Sequence, residues 1–244
     1  MRPMDRSTSA AFWRGLLDVL PFLLIVVPFA VLFGVVARDA GLNLFEAMSM
    51  SVLVIAGASQ FTALALMQDN APILITVATA LAVNLRMAMY SAALVPHVGK
   101  ARLGTRALIS YLMVDQAFAV AVKKYEETPS MTLPEKLAYY FGCMSMLAPL
   151  WYLFSLIGAL VGQAIPAELS LDFAMPVCFI ALTAPLLRSA PHVVAAIVSV
   201  VMAVAFAWLP WNLGLLVAAA LAMIAGAQTE LYLNRKRAAQ EVTV

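Results

Sequence analysis

Two charged side chains stand inside apolar runs, and with one cluster of small residues they mark where this sequence could do chemistry. Arg86 lies in Asn84-Leu85-Arg86, with Tyr90 four residues on and so on the same helical face. An arginine that deep costs at least about 2.5–3.5 kcal/mol in hydrocarbon unless it is paired or hydrated, so it must face the interior. Its planar fork can grip a carboxylate through two parallel hydrogen bonds, or it can form a structural ion pair. The obvious partner is Asp115, in Val114-Asp115-Gln116-Ala117-Phe118. Asp115 can therefore be a coupling site for a proton or cation, or the permanent counter-ion of Arg86.

The third candidate is Gly57-Ala58-Ser59-Gln60-Phe61. Small residues let backbones approach closely, and Gln60 needs a partner in hydrocarbon. One reading is a locally unwound helix whose backbone groups, with Ser59 or Gln60, hold a polar substrate near the midplane. The other is a packing face with one interhelical hydrogen bond. Ser59 also sits in a Gly-x-Ser setting with His97 and His192 elsewhere, the parts of an intramembrane serine hydrolase. The next residue is Gln60 rather than glycine and neither histidine is placed at mid-span, so the chain is read as a non-enzyme.

Other polar residues carry bland expectations. His97 and His192 each follow a proline and have no clustered ligands, so they are read as interfacial or packing residues and no metal or cofactor is implied. Asp18, one turn after Arg14, is read as an exposed or capping carboxylate. Cys143 and Cys178 lie in apolar runs and suggest no disulfide. There is no Gly-x-x-x-x-Gly-Lys loop, which excludes ATP hydrolysis by that route.

The elements that must position these residues are membrane helices. The chain has 244 residues, 64% hydrophobic and 11% charged, with a mean hydropathy of +0.94. Ordinary soluble domains are roughly a quarter charged. Too few polar residues remain to cover a water-soluble globule, which excludes cytosolic enzymes, nucleic-acid binders and disordered regulators. Spans need about 20 mostly apolar residues. Uncharged or nearly uncharged runs occupy 19–37, 47–68, 70–96, 107–122, 137–167 and 173–187, and 189–229 is long enough for two. The excess length of 137–167 suggests tilt or a break near Pro149. Trp208-Leu209-Pro210-Trp211-Asn212 should turn the last run into a hairpin. Arg2, Arg6 and Arg14 precede the first run as in a secretory signal, but its length and its two prolines favour a retained span.

The fold expected is thus all-α: a single polytopic helical membrane domain over residues 1–244 with about eight segments and Pro/Gly-broken helices. If all eight cross, the positive charges divide ten inside to four outside, with Arg86 left in the membrane and both termini cytoplasmic. Turning 47–68 and 173–187 back as re-entrant segments gives the same ten-to-four division. A shift of 124 residues lays Gly34 on Gly158 and Gly57-Ala58-Ser59 on Ala181-Leu182-Thr183. That suggests repeat halves 1–122 and 123–244, parallel if all segments cross and inverted if two turn back.

Several motifs in order give the chain a family likeness. They are Pro28-Phe29, Phe33-Gly34, Gly57 to Phe61, Asn84-Leu85-Arg86 with Tyr90, and Asp115 with Phe118. Trp151 with Gly158 and Gly162, and Leu171-Asp172-Phe173-Ala174 followed by Pro176 and Phe179, continue the series. The sequence resembles the AzlC family, the large permease subunits of bacterial branched-chain amino acid exporters. One departure is Gln116, where the family usually has a glutamate. The resemblance implies export of branched-chain and similar apolar amino acids, methionine included, across the bacterial inner membrane. It also implies a small AzlD-like membrane subunit as partner and an ion gradient as the energy source. For a zwitterionic amino acid the residues Gly57, Ala58, Ser59, Gln60, Phe61, Asn84, Arg86 and Tyr90 are read as facing substrate. Arg86 or free backbone amides near Gly57 to Ser59 would take its carboxylate, and Asp115 or carbonyls freed by the break its ammonium. Phe61 with Met and Leu side chains would line its apolar part, and Asp115 is the ion-coupling candidate.

Overall fold

The computed structural model describes residues 6–162, 187, 189–210 and 213–241. Every regular element among them is helical, and the chain forms two compact units, 1–68 with 72–169 and 69–71 with 170–244. Expectations for 173–187, Cys178 and the 181–183 end of the repeat lie outside the described residues.

In the first unit, α1 (Arg6–Asp18) runs through a 3-10 turn at Leu20–Phe22 into α2 (Leu23–Asp39), making one 34-residue apolar rod. Next come α3 (Leu44–Leu53), α4 (Gly57–Gln68), α5 (Ile73–Val98), α6 (Leu103–Tyr111), α7 (Asp115–Glu127) and α8 (Leu133–Val161). The rod, α5 and α8 are each long and apolar enough to cross a membrane. At 1.5 Å per residue, α3 and α4 are only about 15 and 18 Å long. The run 47–68 is therefore two half-length helices, with Asn43 and Glu46 capping the first reciprocally.

The breaks stand where no proline or glycine stands. One is Val54-Ile55-Ala56, just ahead of Gly57 rather than within Gly57–Phe61, with Val54 at φ −124° and ψ 78°. The other is Leu112-Met113-Val114, which splits a run that reads as one span. Val114 is extended there, at φ −134° and ψ 156°. Conversely α8 continues through Pro149 without the expected break. A proline removes one intrahelical bond, here that of the Ser145 carbonyl, and dense packing on the rod holds the remaining turns.

Glycine pairs bring the rod and α8 into contact. A Cβ on Gly15 would strike the Tyr139 carbonyl and one on Gly142 the Phe12 carbonyl. Gly34 faces Ser155 and Ala159, and Gly158 faces Val31. Cys143 Sγ donates to the Gly15 carbonyl at 3.2 Å. Partner numbers rise together along both helices, so the two rods run parallel. This fixes a parity. If both cross, an odd number of crossings must lie between them. Three crossings satisfy this, and so does α5 alone if both broken runs turn back, whereas turning back only 47–68 supplies two and would make the rods antiparallel.

In the second unit, α9 (Ala190–Ala205) and α10 (Leu213–Glu241) form the hairpin expected around Trp208–Asn212. Gly214 packs on Phe206 beside the turn, and Gly226 lies against Ala195 and Pro191 farther along, the pattern of an antiparallel pair. Residues Leu213–Lys236 are long and apolar enough to span.

Candidate functional site

The two breaks create two polar centres, and one side chain joins them. At the second break, Asp115 is the first residue of α7, where the helix N-terminus favours its negative charge. Arg86 is the fourteenth of the 26 residues of α5. Its Nη1 lies 3.1 Å from Asp115 Oδ2, with side chains 29% and 41% exposed. The structural ion pair considered from sequence is thus present. It leaves spare valence, because Arg86 Nε, Asp115 Oδ1 and the nearby sequence candidate Asn84, through Oδ1, are buried without a hydrogen-bond partner. Tyr90 stacks on Phe118 with centroids 4.1 Å apart. Ser91 Oγ reaches Met113 Sδ at 3.8 Å. One face of α5 therefore holds the second break through residues 86, 90 and 91.

At the first break, Gly57 opens α4. A Cβ there would lie 2.7 Å from Phe29 Cε1 and 3.0 Å from Trp151 Cη2, so only glycine lets the helix start against these rings. Gln60 is fully buried; its Nε2 donates across the break to the Met50 carbonyl at 2.9 Å, while its Oε1 has no partner. This is the interhelical bond the packing reading required, with an acceptor left over. Ser59 Oγ donates to the Ala56 carbonyl at 3.1 Å. Ala58 supplies its carbonyl to Thr62 Oγ1 at 2.8 Å. Phe61 contacts the rings of Phe29 and Phe33, which both also contact Trp151.

Residues absent from the sequence candidates complete the picture. Tyr111, the last residue of α6, donates its hydroxyl to the Val52 carbonyl at 2.5 Å and lies 3.2 Å from the Tyr152 hydroxyl. It ties one break to the other. Ser51 and Ser155 are fully buried with unpartnered hydroxyls, and Trp151 Nε1 is likewise without a partner. Trp151 appeared in the sequence only as a family marker. A serine in an apolar run signals nothing until its burial and lack of a partner are known.

Of the two histidines read as interfacial or packing residues, His97 packs and His192 is exposed at the start of α9. Lys136 Nζ lies 3.4 Å from His97 Nδ1, and the His97 ring is 5.2 Å from that of Tyr125. Asp18 is exposed, as expected, and it also accepts the Tyr139 hydroxyl at 2.6 Å, tying α1 to α8.

Apolar rods, two half-helix breaks and an ion pair halfway along a span define a polytopic helical membrane protein with an internal polar centre. The family model described as AzlC protein matches residues 21–165, and the chain belongs to the AzlC family. It is similar to an uncharacterised membrane protein of Archaeoglobus fulgidus, 30% identical over 220 residues, covering 88% of this chain and 94% of that one. It is also similar to the inner membrane protein YgaZ of Escherichia coli, 27% identical over 183 residues, covering 72% and 74% of the two chains. No solved structure matches it.

Proposed function

We propose that this chain is the large subunit of a two-component secondary transporter that exports branched-chain and related apolar amino acids, methionine among them. It acts in the bacterial inner membrane with both termini cytoplasmic, pairs with a small AzlD-like membrane subunit, and draws on an ion gradient. The observation that carries this reading is the Arg86–Asp115 pair at the α7 N-terminus, with unused buried polar atoms on both partners. A purely structural pair would be expected to satisfy those atoms, since polar groups left unmatched in a membrane are costly. A site that must exchange partners during transport keeps some valence in reserve. The inner-membrane name of YgaZ supports the location.

A second reading, a non-transporting scaffold, is favoured by the glycine-paired rods, which are an assembly device. The intramembrane hydrolase is disfavoured because Ser59 Oγ is committed to the Ala56 carbonyl. The deciding experiment loads cells with valine-, leucine- or methionine-containing dipeptides and measures amino acid efflux with this chain, with and without its small partner. Faster efflux than in cells lacking the chain is the expected result. Unchanged efflux of every apolar amino acid in the presence of both subunits overturns the reading.

A further inference from the structure

We propose that the α3–α4 break, and not the Arg86–Asp115 pair, seats the substrate, as an apolar zwitterionic amino acid held by helix ends and neutral side chains. The inference rests on the export reading above and assigns that function a place.

The break brings two opposite poles together. Helix α3 ends there with its carbonyl end, which carries partial negative charge, and α4 begins with amides that have no intrahelical acceptor and carry partial positive charge. The ammonium and carboxylate of an amino acid match such a pair without a formal charge on the protein. The side chains around the break point to the same ligand. Gln60 is fully buried, and its Nε2 bond to Met50 holds its amide over the break, so the unpartnered Oε1 is an acceptor suited to the ammonium. Trp151 touches the opening residue of α4, and its Nε1–H is a buried donor without an acceptor. Ser155, one turn further along α8, is fully buried with a spare hydroxyl, as is Ser51 in the last turn of α3. The α8 side therefore offers two buried donors, Trp151 Nε1–H and the Ser155 hydroxyl, to a carboxylate. The rings of Phe29 and Phe61 pack 4.7 Å apart beside Gly57 and supply an apolar wall for an aliphatic or thioether side chain.

The second centre is unsuited to the same task. Arg86 already has a carboxylate at 3.1 Å, and a substrate carboxylate there would have to displace it. The pair is better placed to take up or release the coupling ion at Asp115, with Tyr111 linking that break to α3.

The test is calorimetric titration of the full chain in lipid nanodiscs, with its small partner when that is required for stability, using valine, valinamide and isovalerate. The last two lack the carboxylate and the ammonium respectively. Both analogues should bind at least about ten-fold more weakly than valine, a result read on the unaltered protein. Trp151→Phe and the Ser51→Ala/Ser155→Ala double variant should each weaken valine binding about ten-fold, while Arg86→Met/Asp115→Leu keeps it within about three-fold. Valinamide binding as tightly as valine overturns the proposal. So does a loss of binding confined to the Arg86/Asp115 variant, which would put the substrate at the ion pair and leave the export function standing. If the unaltered protein binds no apolar amino acid, the export reading falls and the site falls with it.

Discussion

Removing Asp115 alone should be worse for the protein than removing Arg86 and Asp115 together. At 3.1 Å and an effective dielectric near 20, the gross attraction in the pair is about 5 kcal/mol. Most of it is offset by the desolvation of two ions, so the net worth of the pair is small. Breaking it is another matter. Asp115→Asn leaves a guanidinium near the middle of α5 with no counter-ion, and a lone arginine at span centre costs about 2.5–3.5 kcal/mol. With side chains 29% and 41% exposed, partial hydration brings the cost below that range, to about 2 kcal/mol. For a chain of this size that lowers the unfolding temperature by about 4–8 °C. Arg86→Met/Asp115→Leu removes both charges and should return stability to within about 1 kcal/mol of the native chain. The assay pairs thermal unfolding in detergent with dipeptide-loaded efflux. The single variant should lose stability and flux, whereas the double variant should regain stability and still export nothing. If the double variant exports valine at the native rate, the pair is structural and the scaffold reading gains. If Asp115→Asn is as stable as the double variant, the claim that Arg86 depends on Asp115 is wrong.

Gly34→Ala should cost about 1–3 kcal/mol, because its Cβ meets backbone atoms of Ser155 and Ala159 that can yield only by parting the rods. Gly104→Ala in α6 meets nothing within 4 Å and should be neutral or stabilising by up to about 1 kcal/mol, so unfolding temperatures of the two variants test the interface directly. Parallel rods predict that Asp39→Cys and Ser130→Cys, in a background without native cysteines, label from opposite faces of the membrane; labelling from one face would contradict the parity argument. Tyr111→Phe gives up one hydrogen bond to Val52, worth about 1 kcal/mol. It should slow efflux several-fold while valine binding is retained, and an unchanged efflux rate would show that the link between the breaks is not used.

What could be read from the sequence was whatever hydropathy and isolated charge encode. The apolar runs anticipate the rod, α5, α8 and the last hairpin, because a span must satisfy its own backbone and so must be a long apolar helix. Arg86 and Asp115 announce themselves as a pair since each is costly alone. The breaks could not be located this way. They fall on Val54-Ile55-Ala56 and Leu112-Met113-Val114, residues as apolar as the helices beside them, and carry neither the proline nor the glycine that marks a helix end. Pro149 carries the mark and does not break its helix. In α8, neighbouring helices decide which turns survive, and that information lies in packing rather than in the local string.

The same reasoning explains why charge could not give the relative direction of the rod and α8 and glycine could. Loop charges report only the side on which each loop lies, and two arrangements distribute them identically. Glycine in an interface reports direction, since each missing Cβ admits one particular backbone atom of the opposite helix. Gly15 with Gly142, and Gly34 with Gly158, admit each other's preceding turns in both directions. Such reciprocity across parallel helices is what a two-fold axis running along them would produce. The 124-residue shift that lays Gly34 on Gly158 in sequence therefore has a physical counterpart: the two residues face each other. Along the rod and α8 that contact is the one of a parallel helix pair. In that arrangement the rod and α8 form a shared spine, with the two breaks held beside it through Gly57 on Trp151 and Tyr111 on Tyr152.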